Sequence, residues 1–128
     1  MIVLDTATWI WRVSEPKRLS RAAKRAIDEA DRLLVSAISP WEVAMLVAKR
    51  RIELDRPIEA WIDAALGLPG VDLVQLEPRI AIRSTSLPGA FYPDPADRII
   101  VATALERAAR IVTPDERIRS YPHVQSIW

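Results

Sequence analysis

The chain has 128 residues, half of them hydrophobic and about a quarter charged, which suits one domain, residues 1–128, with a real core and excludes a disordered chain. It has no cysteine and a single histidine, His123, so disulfides, thiolate sites and histidine-held zinc are excluded, and any metal has to be held by oxygen, as magnesium and manganese are. The formal net charge is +1, so overall basicity does not announce nucleic acid, although four carboxylates neutralised by metal would leave a surface of about +5, a weak pull on phosphate.

The opening Met1-Ile2-Val3-Leu4-Asp5 has no basic segment and meets an acid at once, unlike a signal peptide. No apolar run approaches the roughly 18 residues that span a membrane. The expectation is a soluble cytoplasmic protein with no membrane partner. Ile2-Val3-Leu4 is a short continuous apolar run, as in a strand buried on both faces. A helix is expected from about Ala7 to Val13, broken by Ser14-Glu15-Pro16. Ser20 can cap a second helix running to about Ala30, with Arg21, Lys24 and Arg25 on its polar side. Leu33-Leu34-Val35 reads as a second buried strand.

Ser39-Pro40-Trp41-Glu42 has the form of a capping box with proline at the first helical position, which by itself explains Glu42. The helix it opens, Trp41 to Ala48, is apolar nearly all round, so it is buried or meets a partner. Lys49-Arg50-Arg51 follows, either a solvated helix end or a phosphate contact. Pro57 starts a helix to about Leu66, with Ile58, Trp61, Ile62 and Ala65 on one face. Val71 to Leu76 alternates apolar and polar residues, as in a strand near the sheet edge, and Pro78 opens a helix through Ile80 and Ile82.

Asp94-Pro95-Ala96-Asp97 is a helix start, with Asp94 as N-cap and Pro95 at the first helical position. Asp97 shares a face with Val101, Ala104, Leu105 and Ala108, so it points towards the core edge, where a lone charge is costly unless paired or bound to metal. Ile111-Val112-Thr113 is a further buried strand, Pro114-Asp115 leads into a short helix containing Ile118, and Val124 to Trp128 can add a last strand. Strands alternate with helices throughout. That pattern predicts a three-layer α/β/α sandwich on a mostly parallel sheet.

In an open parallel sheet, ligands bind beyond the carboxyl ends of the strands. Asp5 ends the first strand, Asp115 follows a later one, and Glu42 and Asp97 begin helices that can start at the same edge. Four acids brought together repel unless a cation joins them. One or two magnesium ions would make them a hard-oxygen site, able to activate water and to stabilise a phosphate under in-line attack. Taken singly each acid is ordinary: Asp5 as a turn residue, Asp115 as an N-cap.

Taken together, Ile2-Val3-Leu4-Asp5-Thr6, Ser39-Pro40-Trp41-Glu42, Asp94-Pro95-Ala96-Asp97-Arg98 and Thr113-Pro114-Asp115 resemble the motifs of PIN domains, in the same order and over essentially the whole chain. The resemblance is nearest to VapC-type toxins of type II toxin–antitoxin pairs. It implies a PIN-like fold and an endoribonuclease dependent on Mg2+ or Mn2+, with Asp5, Glu42, Asp97 and Asp115 as the catalytic, metal-holding acids. It makes Asp94 an auxiliary acid or a direct ligand, and Thr6 and Thr113 hydroxyls that orient carboxylates. Many relatives carry a histidine shortly before the Asp-Pro pair, where this chain has Phe91-Tyr92-Pro93. Arg98 has two readings, a contact to substrate phosphate or a partner for Asp94 or Asp97. Arg21, Lys24, Arg25, Lys49, Arg50 and Arg51 are candidate RNA-backbone contacts, and Trp9, Trp11 and Tyr92 candidate platforms for bases. The implied partners are a VapB-like antitoxin, lying along the Trp41–Ala48 helix with Trp61 and Ile62, and a second copy of the chain in a homodimer.

Two other readings use the same residues: a PIN nuclease of RNA processing outside a toxin–antitoxin pair, and a non-catalytic protein- or RNA-binding module whose acids are only caps. A phosphatase of the haloacid-dehalogenase kind needs an aspartate two residues after Asp5, and Ala7 stands there. A response-regulator receiver needs a pair of acids after the first strand, which is absent.

Overall fold

A computed structural model describes all residues, 1–128. Five strands form one sheet: β1 (Ile2–Leu4), β2 (Leu33–Ser36), β3 (Val71–Val74), β4 (Arg110–Val112) and β5 (Ser126–Ile127). The spatial order is β3-β2-β1-β4-β5 and every pairing is parallel. Seven helices accompany them: α1 (Thr6–Ser14), α2 (Arg21–Glu29), α3 (Ile38–Ala48), α4 (Ile58–Leu66), α5 (Pro78–Thr85), α6 (Pro95–Glu106) and α7 (Glu116–Arg119). None is long and apolar enough to cross a membrane.

Alternation along the strands builds two cores. Val3, Leu34 and Ile111 face α5 and α6, packing with Ile80, Ile100, Val101 and Ala104. Ile2, Leu4, Leu33, Val35 and Val112 face the opposite way, onto Trp9, Ala23, Ile27, Val43 and Trp61. Both faces of the sheet are therefore covered, which is why its inner strands read as unbroken apolar runs. The edge strand β3 is the exception, with Leu73 exposed and Val74 buried.

The chain runs outward from β1 through β2 to β3, then returns to place β4 on the other side of β1. The crossovers thus diverge between β1 and β4, and a crevice opens beyond the carboxyl ends of those two strands. Leu4 is in register with Val112, so Asp5 stands beside Thr113. The fold places these two residues at its natural binding point.

Two expectations need correction. The helix bearing Glu42 begins at Ile38, two residues before the proline, and has no side-chain cap of the Ser39 kind. Instead the Ser36 hydroxyl accepts the Ile38 N–H at 3.2 Å. Pro40 is tolerated at the third helical position because first-turn N–H groups have no intrahelical acceptor in any case. Ser39 and Glu42 are thereby freed from capping. The second correction concerns Trp61, which is 2% exposed and packs edge-to-face on Trp9 at 5.2 Å between ring centroids. Its indole N–H donates to the Ser14 hydroxyl at 3.1 Å. Both tryptophans are core residues, so Trp61 offers no surface to a partner and Trp9 none to a base.

Candidate active site

Five carboxylates line one pocket of about 420 Å³ at the switch point: Asp5, Glu42, Asp94, Asp97 and Asp115, with Arg117 as the single basic side chain. Each arrives by a different route. Asp5 is the N-cap of α1, and one oxygen accepts the Thr8 N–H at 2.9 Å. Its other oxygen accepts the Thr113 hydroxyl at 2.5 Å. That hydroxyl in turn accepts the Asp115 N–H at 3.0 Å, so Thr113 ties the end of β1 to the start of α7. Burial pushes the Asp5 carboxyl above its ordinary range, Thr113 and Thr8 oppose the rise, and Asp115 adds to it.

Glu42 sits one turn into α3, half-buried, and accepts the Thr6 hydroxyl at 2.5 Å. Thr6 has one proton to give. With that proton on Glu42, the 2.9 Å contact between Thr6 and Ser39 has Ser39 as donor. Ser39, fully buried, reads from the sequence as a helix cap and not as a support for Glu42. Its capping-box pattern concealed a relay from α3 to α1 and back to Glu42. Burial raises the Glu42 carboxyl, the Thr6 hydrogen bond lowers it, and Asp94 and Asp5 raise it again.

Asp94 is exposed and caps α6, accepting the Asp97 N–H at 3.2 Å. Asp115 caps α7, accepting the Arg117 N–H at 2.8 Å and meeting the Arg117 guanidinium at 3.2 Å. Asp97 differs from the rest. It is half-buried in the first turn of α6, and no donor hydrogen-bonds its carboxylate, although the other four acids all have one. Burial, followed by Glu42, Asp115 and Asp5, raises it to about 7, against a small opposing pull from Arg117.

The backbone gathers these acids in one pocket, but the Asp5, Glu42, Asp94 and Asp115 side chains are each turned to a partner of their own. No three of them close around one point in the conformation shown. The donor set still fits a divalent ion. It is all oxygen, it is crowded enough to hold an acid near neutrality, and Asp97 has a carboxylate with nothing else to bind.

Arg98 does not reach the pocket, under either of its two readings. Its Nε donates to the Ser84 carbonyl at 2.8 Å, and its Nη1 to the carbonyls of Phe91 at 2.9 Å and Tyr92 at 3.5 Å. It fastens the loop before α6 instead. Arg117 takes the place expected for Arg98. The sequence marked residue 115 as a cap, and a side chain two residues into a one-turn helix folds back over its own cap. Trp11 lines the pocket, with the Arg18 guanidinium over its ring at 4.1 Å and Trp128 beside it at 5.8 Å.

Thr113→Val keeps the shape of the side chain and removes both of its hydrogen bonds. Affinity of the pocket for a divalent ion is expected to fall about 10–100-fold, the usual cost of losing a group that orients a ligand. Thr113→Ser restores most of it, and Mn2+ titrations of the three proteins check the pattern.

The PIN domain model matches residues 2–124. The chain is 41% identical to Ribonuclease VapC22 of Mycobacterium tuberculosis over 129 residues, covering 99% of this chain and 98% of that protein. Among solved structures it superposes on a toxin–antitoxin complex from Klebsiella pneumoniae with a TM-score of 0.67 at 23% identity, covering 97% of this chain and 95% of the other. VapBC2 from Rickettsia felis bound to a promoter DNA fragment gives a TM-score of 0.71 at 15% identity, covering 98% and 97%. With the fold, the motif order and a full-length relative in agreement, the chain belongs to the PIN-domain family, among its VapC-type members.

Proposed function

We propose that the protein is the toxin of a type II toxin–antitoxin pair and cleaves RNA in the cytoplasm as a Mg2+- or Mn2+-dependent endoribonuclease. The observation that carries this is Asp97, a carboxylate without a hydrogen-bond donor among four others at the switch point. The ribonuclease relative and the toxin–antitoxin neighbours support the same reading. Asp5, Glu42, Asp97 and Asp115 hold the ion, and Asp94 stands at their edge. When bound, such an ion supplies Lewis acidity and positive charge at the phosphodiester.

The chain's own residues do the remaining work. Thr113 and Thr8 hold both Asp5 oxygens in place, and Ser39 and Thr6 fix Glu42 from behind. A carboxylate set in advance loses little entropy when it takes a ligand. Lys49, Arg50 and Arg51 are exposed at the end of α3, just before Ile52, which lines the pocket. They give an RNA backbone a path to the acids.

The antitoxin has apolar surface beside the acids. Ile38, Trp41, Met45, Pro95 and Ala96 line one hollow, where Trp41 is 57% exposed. Val47, Ile52, Leu54 and Ile58 line a second at the far end of α3. An exposed tryptophan beside other apolar side chains marks a protein contact more often than bare surface.

The test is cleavage of a total cellular RNA pool by purified protein with Mn2+, with Mg2+ or with chelator, wild type beside Asp97→Asn. Discrete fragments that need both the ion and Asp97 are expected. Cutting that survives chelator, or survives in Asp97→Asn, contradicts the reading.

A further inference from the structure

Five acids crowd the pocket, and the substrate of the proposed reaction is itself an anion. A phosphate entering there needs positive charge from the protein wall as well as from any ion. Arg117 is the only basic residue lining the pocket. Its side chain is 63% exposed, so its donors are open to a ligand. Its hold on Asp115 is loose, at 3.2 Å and 3.4 Å from two nitrogens, and Asp115 keeps the Arg117 backbone N–H in either case.

The guanidinium is nonetheless well placed. Its central carbon lies over the Tyr92 ring, 4.1 Å from the centroid, a cation–π contact that positions the guanidinium without using its N–H groups. The Tyr92 platform is itself held. Phe91 packs on Tyr92 at 4.7 Å and on Tyr121 at 4.9 Å, and Arg98 clamps the carbonyls of residues 91 and 92. Arg98 thus supports the surface from which Arg117 works.

We propose that Arg117 binds the RNA phosphate at the mouth of the acid pocket, its fork of donors held ready on Tyr92. The assignment rests on the ribonuclease reading above and deepens it. Asp115 is the resting partner of this arginine, and a phosphate oxygen replaces it when RNA enters. The planar fork suits phosphate in a way that an ammonium does not, so lysine at this position serves only in part.

The experiment uses the full chain and a labelled random-sequence single-stranded RNA 20-mer. Saturation kinetics with Mn2+ compare wild type, Arg117→Ala, Arg117→Lys and, as a control, Arg119→Ala, an exposed residue paired with Glu116. Anisotropy measures binding of the same RNA to Asp97→Asn with and without Arg117→Ala, across a range of salt. Arg117→Ala is expected to weaken binding and raise KM about 10–100-fold, the weight of one charge-assisted contact. It is also expected to lower the salt slope by about 0.7. Arg117→Lys recovers part of the loss, and Arg119→Ala behaves as wild type. Wild-type cutting with an unchanged KM in Arg117→Ala overturns the assignment and leaves the ribonuclease reading standing. So does a loss confined to kcat with weaker Mn2+ binding, which would reduce Arg117 to a support for Asp115. Failure of the wild type to cut any RNA with Mn2+ overturns the ribonuclease reading and this assignment together.

Discussion

Asp97→Asn is expected to unfold at a higher temperature than wild type at pH 8 in chelator, while losing RNA cleavage at least about a hundredfold. The two effects share one cause. Crowding by Glu42, Asp115 and Asp5, on top of burial, raises Asp97 to about 7 in the folded chain, against 3.8 for a free side chain. The native state therefore holds a proton at pH values where the unfolded chain has lost it, and stability declines as pH rises between those limits. Below about pH 4 the group is neutral in both states and costs nothing. Above about pH 7 the full penalty is present, and asparagine escapes it. After allowance for solvent screening of a half-exposed side chain, the gain is about 1–2 kcal/mol, or several degrees in Tm. Melting curves at pH 4.5 and pH 8 check the sign. The gap between the two proteins should widen with pH, and a variant less stable than wild type at pH 8 would show that Asp97 has a structural partner.

The largest loss of stability is expected from Trp61→Ala. Trp61 is almost fully buried, meets Trp9 edge to face and bonds Ser14 through its indole N–H. Truncation removes the ring, empties a space beside Trp9 and leaves Ser14 without its donor. The expected cost is about 3–5 kcal/mol, a large share of the stability of a domain this size. Trp41→Ala should cost under about 0.5 kcal/mol in the isolated chain, because the side chain is 57% exposed. Urea unfolding of the two variants separates them. If Trp41→Ala proves as damaging as Trp61→Ala, Trp41 is buried in solution by a second copy of the chain.

The alternation of short apolar runs with capped helices was enough to read the sandwich and the position of each strand. It also placed Asp5, Glu42, Asp97 and Asp115 near one edge, because a parallel sheet puts strand ends and helix starts there. What escaped was local. Ser39 looked like a cap because proline followed it, yet proline is allowed anywhere in a first turn, and the helix began earlier. Arg98 lay next to Asp97 in sequence, but neighbours on a helix point about 100° apart, and the side chain ran to carbonyls on the far side. Trp61 lay on an apolar helix stripe, and such a stripe is the same whether it meets a core or a partner. Arg117 had no pattern to mark it, since its role depends on Tyr92, twenty-five residues earlier and close only in space. Periodicity reports which way an element faces, whereas the partners of a single side chain depend on tertiary packing.

The most direct measurement of the central claim is Mn2+ binding followed by electron paramagnetic resonance, which reads the free ion, at pH 7.5 with wild type beside Asp97→Asn. Saturable loss of the free-ion signal with wild type, and little or none with the folded variant, is the predicted result. Equal binding by both proteins, or none by folded wild type, would contradict it and leave Asp5, Asp94 and Asp115 as helix caps alone.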